Sequence, residues 1–420
     1  MNPTGFYTYV GDVKTDIIDV FGPLAGDALT YNTRLKSINN ANKDLSELFE
    51  PYNNNGILAG PTKYVIYPSL VDINTIFKSK SPLTQSFFMD PTTSLGSTGN
   101  NTIFSPNIVS MYNNVVLLPT NEGACYRSTN YGNTWAAFIS GSGPAWKCAC
   151  VYKNIGIICD ASSTYLFTNI SNDTSSDATF PTFSPVIPTY PIISVSICDD
   201  KAMLITEIGQ AFVSNNSGAT FNRMYTTNYP DLKHVSITKK MNNTYAAVRT
   251  MKPTLAMSYG YIEYCSNFTG STSDSYIRLY NDASGNAVPE PTCVQISCNY
   301  GVLGDIIGNI YYTKNSGTSW SKSLTNPNAG SNKPILSISI DGPYCIAITD
   351  SSYLLSTTYG KTWSTYTLPT PTLPDTPSGT FVTSCATSNG NACLPLVYSY
   401  TDASNVTRYS LRRCYGNLEA

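Results

Sequence analysis

One eight-residue pattern limits what this chain can fold into more than any other feature. It reads hydroxyl, any, Asn or Thr, any, Gly, any, hydroxyl, aromatic. Four copies are clear: Ser128-Thr-Asn-Tyr-Gly-Asn-Thr-Trp135, Ser214-Asn-Asn-Ser-Gly-Ala-Thr-Phe221, Thr313-Lys-Asn-Ser-Gly-Thr-Ser-Trp320 and Ser356-Thr-Thr-Tyr-Gly-Lys-Thr-Trp363. Their glycines, Gly132, Gly218, Gly317 and Gly360, are 86, 99 and 43 residues apart. Because 86 is twice 43, each long gap should hold one faded copy. Thr168–Asp173 and Ser266–Gly270 lie at suitable places, and Tyr400–Ser404 could supply a last one. The pattern describes a tight turn. The side chains of Ser128 and Asn130, Ser214 and Asn216, Asn315, and Ser356 can bond turn backbone, the glycine takes φ > 0, and Trp135, Phe221, Trp320 or Trp363 packs between sheets.

The segments before each turn read as strands. An apolar-Ser/Cys-apolar alternation recurs at Ile108–Met111, Lys147–Cys150, Val195–Ile197, Val235–Ile237, Ile296–Cys298, Ile338–Ile340 and Thr383–Cys385, each preceding a second apolar strand. Spread over residues 105–420, the unit length is roughly 45 residues, the size of a four-stranded blade. The expected fold class is therefore all-β: a β-propeller of about seven four-stranded blades, with six or eight still open.

Residues 1–104 obey another rule. Asp16-Ile-Ile-Asp-Val-Phe21, Asp44-Leu-Ser-Glu-Leu-Phe49 and Asp72-Ile-Asn-Thr-Ile-Phe77 repeat with a period of 28 residues, in units near 14–21, 42–51 and 70–78. An Asp ahead of this apolar spacing suits a short helical turn with one buried face. Such units are too small to cover that face alone, so Asp16, Phe21, Asp44, Phe49, Asp72 and Phe77 are read as packing or anchoring residues. The Gly/Ser/Thr/Asn-rich stretch 91–101 reads as a linker to the propeller.

Composition excludes several function classes. Charged residues make up 12% of the chain, with 25 basic against 27 acidic and no long basic run, so there is no footprint for nucleic acid. No apolar stretch approaches membrane-spanning length, and the N-terminus lacks a secretory pattern. With one histidine, His234, and no paired CxxC spacing, no metal site is expected. No cofactor fingerprint is present either. Many of the 12 cysteines sit inside apolar strand patterns and read as buried free thiols.

The four turns resemble the Asp-box, or BNR repeat, of sialidases, sortilin-type receptors, xyloglucan hydrolases and plant photosystem assembly factors. The consensus Asp is replaced here by Asn130, Asn216, Asn315 and Thr358. That resemblance implies a propeller and places these turns away from any catalytic centre, so it speaks to architecture and not chemistry. None of the eight arginines lies in the Arg-Ile-Pro context that opens a sialidase propeller, and Arg127 and Arg223 read as solvated residues beside turns. An inverting glycosidase needs only two suitably spaced carboxylates. Asp160, Asp199, Asp200, Glu207, Asp305, Asp341 and Asp350 are the candidates, all at strand ends or turns where a carboxylate commonly caps backbone.

The N-terminal units, plainest in Lys43–Pro51, are similar to short modules of virion-associated proteins in giant DNA viruses and some phage tail proteins. That resemblance implies a non-enzymatic virion component of a large DNA virus, made in host cytoplasm. Its expected partners are other virion proteins or further copies of itself, and host surface glycans are a further option. The propeller would be the protein- or glycan-binding platform. A glycan-active or glycan-binding propeller, hydrolase or attachment lectin, is the competing reading.

Overall fold

A computed structural model of the chain describes residues 86–90, 96–97 and 109–418, except 122, 140–144, 161–163, 168–169, 171–181, 184–189, 225–230, 254–259, 369–376, 383, 402–403 and 405–406. Asp16, Phe21, Asp44, Phe49, Asp72 and Phe77 lie outside the described residues.

The described chain is all strand and turn. The strands β1 (Ser86–Asp90) and β2 (Gly96–Ser97) come first and join the last sheet. The first antiparallel sheet holds β3 (Ser110–Tyr112), β4 (Val115–Pro119), β5 (Cys125–Ser128) and β6 (Ala136–Ile139). The second holds β7 (Cys148–Tyr152), β8 (Ile155–Cys159), β9 (Thr164–Phe167) and β10 (Thr182–Phe183). The third holds β11 (Ile192–Cys198), β12 (Lys201–Thr206), β13 (Ala211–Ser214) and β14 (Asn222–Arg223). The fourth holds β15 (Leu232–Lys239), β16 (Tyr245–Met251), β17 (Tyr261–Cys265) and β18 (Ile277–Leu279). The fifth holds β19 (Pro291–Ser297), β20 (Tyr300–Asp305), β21 (Ile310–Thr313) and β22 (Ser321–Lys322). The sixth holds β23 (Ser337–Asp341), β24 (Tyr344–Ile348), β25 (Ser352–Ser356) and β26 (Ser364–Thr367). The last sheet has six strands: β27 (Pro377–Val382), β28 (Ala386–Ser388), β29 (Asn391–Thr401) and β30 (Thr407–Asn417) together with β1 and β2.

Short hairpins explain the antiparallel order, because two-residue loops match strand twist only when a turn residue can take φ > 0. Asn113, Lys153, Asp199, Cys298, Gly342 and Asn389 do so in two-residue loops, the last between β28 and β29, and Asn243 does so in the five-residue β15–β16 connection. The Ile296–Cys298 segment thus ends one residue earlier than its pattern suggests. Cys298 is an exposed turn residue at φ 53°, not a strand thiol.

Apolar side chains alternate onto both faces of each sheet, and every described cluster lies between consecutive sheets. Leu117, Phe138 and Ile158 join the first to the second, Ile157, Leu204 and Phe212 the second to the third, and Met203, Val213 and Ala247 the third to the fourth. Val248, Ile262 and Leu303 continue the series, then Val302, Ile338 and Leu354, then Ile346, Leu355 and Leu394. Val116, Leu118 and Cys393 return from the last sheet to the first. The series closes on itself, which makes the fold a β-propeller.

The last sheet is built differently from the others. β1 pairs with β30 from Ser86↔Asn417 to Asp90↔Arg413, so a strand from before residue 105 stands beside the C-terminal strand. The strands β29 and β30 are 11 residues long, against eight at most elsewhere, and β27 pairs with the far half of β29. Tyr400–Ser404 lies at the β29–β30 hairpin, between the second and third strands of this sheet. It is therefore not a further copy of the turn pattern, which comes after the third strand elsewhere. Here β30 is the third strand, and β1 takes the fourth position.

Candidate functional site

Two sets of polar residues organise the propeller: the patterned turns at the rim and the small side chains of the innermost strands. In the first turn the Ser128 hydroxyl accepts the Gly132 N–H at 2.9 Å and donates to Asn130 Oδ1 at 3.0 Å. Asn130 Oδ1 accepts the Thr134 N–H at 2.7 Å, and the Trp135 indole donates to the Gly132 carbonyl at 2.7 Å. Ser214, Asn216 and Gly218 repeat the backbone contacts at 3.0 Å each. Thr313, Asn315, Gly317 and Trp320 repeat the whole set. In the fourth turn Thr358 Oγ1 still accepts the Thr362 N–H at 2.9 Å, so the hydroxyl replaces the amide oxygen in its main contact. Ser356 accepts the Gly360 N–H, and the Trp363 indole donates to the Gly360 carbonyl.

These turns dock sheet against sheet. A Cβ on Gly317 would meet Val248 Cγ2 of the preceding sheet at 2.5 Å, and Gly132, Gly218 and Gly360 face Cys393, Ile157 and Val302 in the same way. Phe221, Trp320 and Trp363 are buried against those preceding sheets, and Trp135 is half-buried. Where the pattern fades, an apolar residue takes over. Ile170 and Phe268 are 0% and 1% exposed and pack into the clusters shared with the preceding sheets. Their N–H groups donate to the carbonyls of Asn154 and Tyr245, as those of Tyr131 and Ser217 do to Asn114 and Asp200 in intact turns. Around Phe268 the carboxylate of Asp274 caps the loop through the Thr269 and Ser271 N–H groups.

The innermost strand of each sheet has an edge facing the propeller axis, and its N–H groups need acceptors there. Neighbouring side chains supply them. The hydroxyls of Ser110, Ser194, Ser196 and Ser236 accept the N–H groups of Val151, Val235, Ile237 and Ile296 at 2.9, 3.2, 3.0 and 3.0 Å. Thr238 accepts from Cys298, Gln295 Oε1 from Ile340, Ser337 from Cys385 and Ser339 from Thr387. Ser384 and Ser388 accept from Val109 and Asn113, closing the ring between the last and first sheets. The apolar-Ser-apolar alternation is therefore a division of labour. Its apolar members pack between sheets, and its hydroxyls link adjacent inner strands. In the sequence the alternation signals only a strand, and Gln295, which breaks the Ser pattern, carries no signal of this role.

Inside this ring lies a cavity of about 130 Å³, lined by Ser110, Ser194, Ser196, Ser236, Gln295 and Ser339 among others, with His234 and Cys293. No acidic residue is among its lining residues. Burial, and then the charges of Lys233 and Lys252, bring the half-buried His234 imidazole down to about 4, so it is neutral at physiological pH. Burial also holds the thiols of Cys150 and Cys293 up, to about 11 and about 12. They are poor nucleophiles there. The eleven cysteines from Cys125 to Cys393 are free.

The sequence-selected carboxylates are dispersed. Asp305 is fully buried and accepts from Ile307 N–H, Asn309 N–H and the Asn309 side chain. Burial raises its carboxyl above the ordinary range despite those bonds. Asp341 accepts the Asn389 N–H at 2.7 Å, Asp200 pairs with Lys201 and Asp350 with Lys333, while Asp160 is buried. Asp199 sits on the hairpin face, held by Lys153, Lys239 and the Tyr245 hydroxyl. Burial opposes its ionisation, but those three hydrogen bonds outweigh it and hold the carboxyl at about 2. Tyr112 and Tyr152, 4.7 Å apart between ring centroids, adjoin this group.

Arg127 is not the solvated residue its position suggests. It donates to the Ile170 carbonyl at 2.9 Å and lies over the Phe138 ring. Arg223 is partly buried as well. Nothing in the sequence signals the ladder Arg249–Glu263–Arg278, in which two guanidiniums share one buried carboxylate and Arg249 stacks on Tyr276 at 3.7 Å. Its members are scattered over three strands and meet only through register.

No protein-family profile and no characterised protein matches the sequence. Among solved structures, YCF48 bound to D1 peptide is similar with 10% identity and a TM-score of 0.49, over 77% of this chain and 94% of that one. YCF48 from Cyanidioschyzon merolae is similar with 12% identity and a TM-score of 0.47, over 77% and 98%. U3-55K is similar with 9% identity and a TM-score of 0.46, over 74% and 96%. The assignment of the fold rests on the strand pairing and the closed series of inter-sheet cores.

Proposed function

We propose that this chain is a non-enzymatic interaction protein whose seven sheets each form one blade of a rigid platform for protein or glycan partners. The observation that carries this reading is how its polar side chains are used. Inner-strand hydroxyls bridge adjacent sheets, carboxylates cap turns or pair with lysines, and buried thiols are held protonated. These contacts make a stiff surface. On the hairpin face they fix half-buried Tyr112, Tyr152 and Tyr245 beside Lys153, Asp199 and Lys239, an amphipathic cluster of the kind interfaces favour.

The finer reading is a virion component of a large DNA virus, made in host cytoplasm and present in multiple copies. It is supported by the 28-residue repeat of residues 1–104 and its resemblance to virion-associated modules. Quantitative mass spectrometry of purified particles and cell fractions tests it. A fixed, high ratio to the major capsid protein is expected. Recovery only in soluble or secreted fractions would overturn it and put the glycan-directed reading first. That reading draws on the paired tyrosines of the hairpin face, and a glycan array with the purified chain tests it separately.

A further inference from the structure

Where the last sheet meets its two neighbours, one turn residue holds all three together. Asn389 and Gly390 form the two-residue loop between β28 and β29, at φ angles of 49° and 70°. Asn389 is exposed. Its N–H donates to Asp341 Oδ2 of the sixth sheet at 2.7 Å, and its Nδ2 donates to Asn113 Oδ1 of the first sheet at 2.9 Å. Beside it, the Ser388 hydroxyl accepts the Asn113 N–H at 2.9 Å. Among the described asparagines Asn389 alone precedes a glycine, and the others, Asn113 and Asn243 included, precede residues with a side chain. No described group accepts the Gly390 N–H. The Asn391 Nδ2 donates to the Asn389 carbonyl at 3.0 Å, which polarises the peptide group between 389 and 390 and makes its N–H more acidic.

We propose that Asn389 is a site of spontaneous deamidation, which places a new negative charge at the joint where the propeller closes and loosens it. Once the Gly390 nitrogen loses its proton, it attacks Asn389 Cγ. A C–N bond forms, the former Nδ2 leaves as ammonia, and a five-membered imide results. Water, the one co-reactant, opens that ring at either carbonyl to give aspartate or isoaspartate at 389. The reaction quickens as pH rises, because the attacking nitrogen must be deprotonated. The Asn113 contact slows it by anchoring the side-chain amide. Either product sets a carboxylate beside Asp341. The Asn113 amide can turn its NH₂ toward the new charge, but the two carboxylates still face each other across the joint. Isoaspartate also adds a methylene to the main chain, so the loop no longer fits the Ser388↔Asn391 pairing.

The test ages the full chain in warm buffer at mildly acidic and mildly alkaline pH. Peptide mapping by mass spectrometry reads the amide-to-acid mass gain, isoaspartyl methyltransferase labelling reads isoaspartate, and thermal unfolding reads closure. Conversion is expected at Asn389 ahead of every other described asparagine and faster at alkaline pH, with the midpoint falling by about 1–3 °C as it proceeds. Asn389→Asp should show a lowered midpoint from the start. Asn113→Gly tolerates the local φ of 50° and removes the anchoring oxygen, so conversion at 389 should speed up by about two- to tenfold, the worth of one hydrogen bond. Asn389→Gly cannot react and should keep its midpoint on ageing. An unchanged Asn389 in the folded chain, under conditions that convert a synthetic peptide of residues 385–394, overturns the proposal. So does conversion that leaves the midpoint where it was, or an equal loss of midpoint in aged Asn389→Gly.

Discussion

At the residue scale, the inner-strand hydroxyls are worth more than their size suggests, because each stands between a buried N–H and an unmet desolvation cost. Ser236→Ala leaves the Ile296 N–H without its acceptor, and the expected destabilisation is about 1–3 kcal/mol in urea unfolding. Ser236→Cys, which retains a weak acceptor, should lose less, as Cys150 occupies the corresponding position in the second sheet. Asp199 makes a pH-dependent contribution. Its carboxyl is at about 2 in the folded chain, below the ordinary 3.8, so the stability it adds is complete above about pH 4 and drains away as pH falls toward 2. Asp199→Asn should flatten that part of the stability profile by an amount on the order of 1–2 kcal/mol, since its lysine partners are largely exposed. The four box turns are legible residue by residue in the sequence because their chemistry is local. His234, Gln295 and the Arg249 ladder are not, because the groups that define them come from other strands.

At the element scale, the patterned turn does two jobs, closing its own strand pair and abutting the sheet before it. Gly317→Ala meets both a left-handed φ of +96° and Val248, whereas Gly285→Ala meets only a left-handed φ in open space. The first should cost about 2–4 kcal/mol and the second about 1, measured as shifts in denaturation midpoint. Faded turns shift the load from glycine to a buried apolar plug, so Phe268→Ala should cost about 3–5 kcal/mol, as removal of a buried ring does elsewhere. Spacing alone points to both places in the sequence, of which Thr168–Asp173 is described only at Ile170. It does not show that Ile170 and Phe268 replace the contact, since an apolar residue in a polar loop carries no label for its partner. The same limit explains Tyr400–Ser404, whose composition suits the turn pattern but whose strand context does not.

At the scale of the whole molecule, closure depends on which strand completes the last sheet. β30 is flanked by β29 on one side and by β1 and β2 on the other, so a fragment of residues 98–420 exposes that edge while one of residues 85–420 keeps it paired. The longer fragment should unfold cooperatively by circular dichroism, and the shorter one at a clearly lower midpoint. Equal midpoints would mean that β1 adds nothing to closure. By itself the sequence determined what depends on near neighbours: turns with a Gly at positive φ, alternating strands, the absence of a basic or metal-binding signature, and a repeat length that leads to blades. Only the tertiary structure decided how the ring closes through the N-terminal strand, that inner-strand serines serve the next sheet's backbone, and that carboxylates equally conspicuous in sequence end up apart. The physical reason is common to all three. Local patterns fix backbone conformation over a few residues, whereas which groups meet across sheets depends on register and packing between segments tens to hundreds of residues apart, for which a single sequence carries no periodic mark.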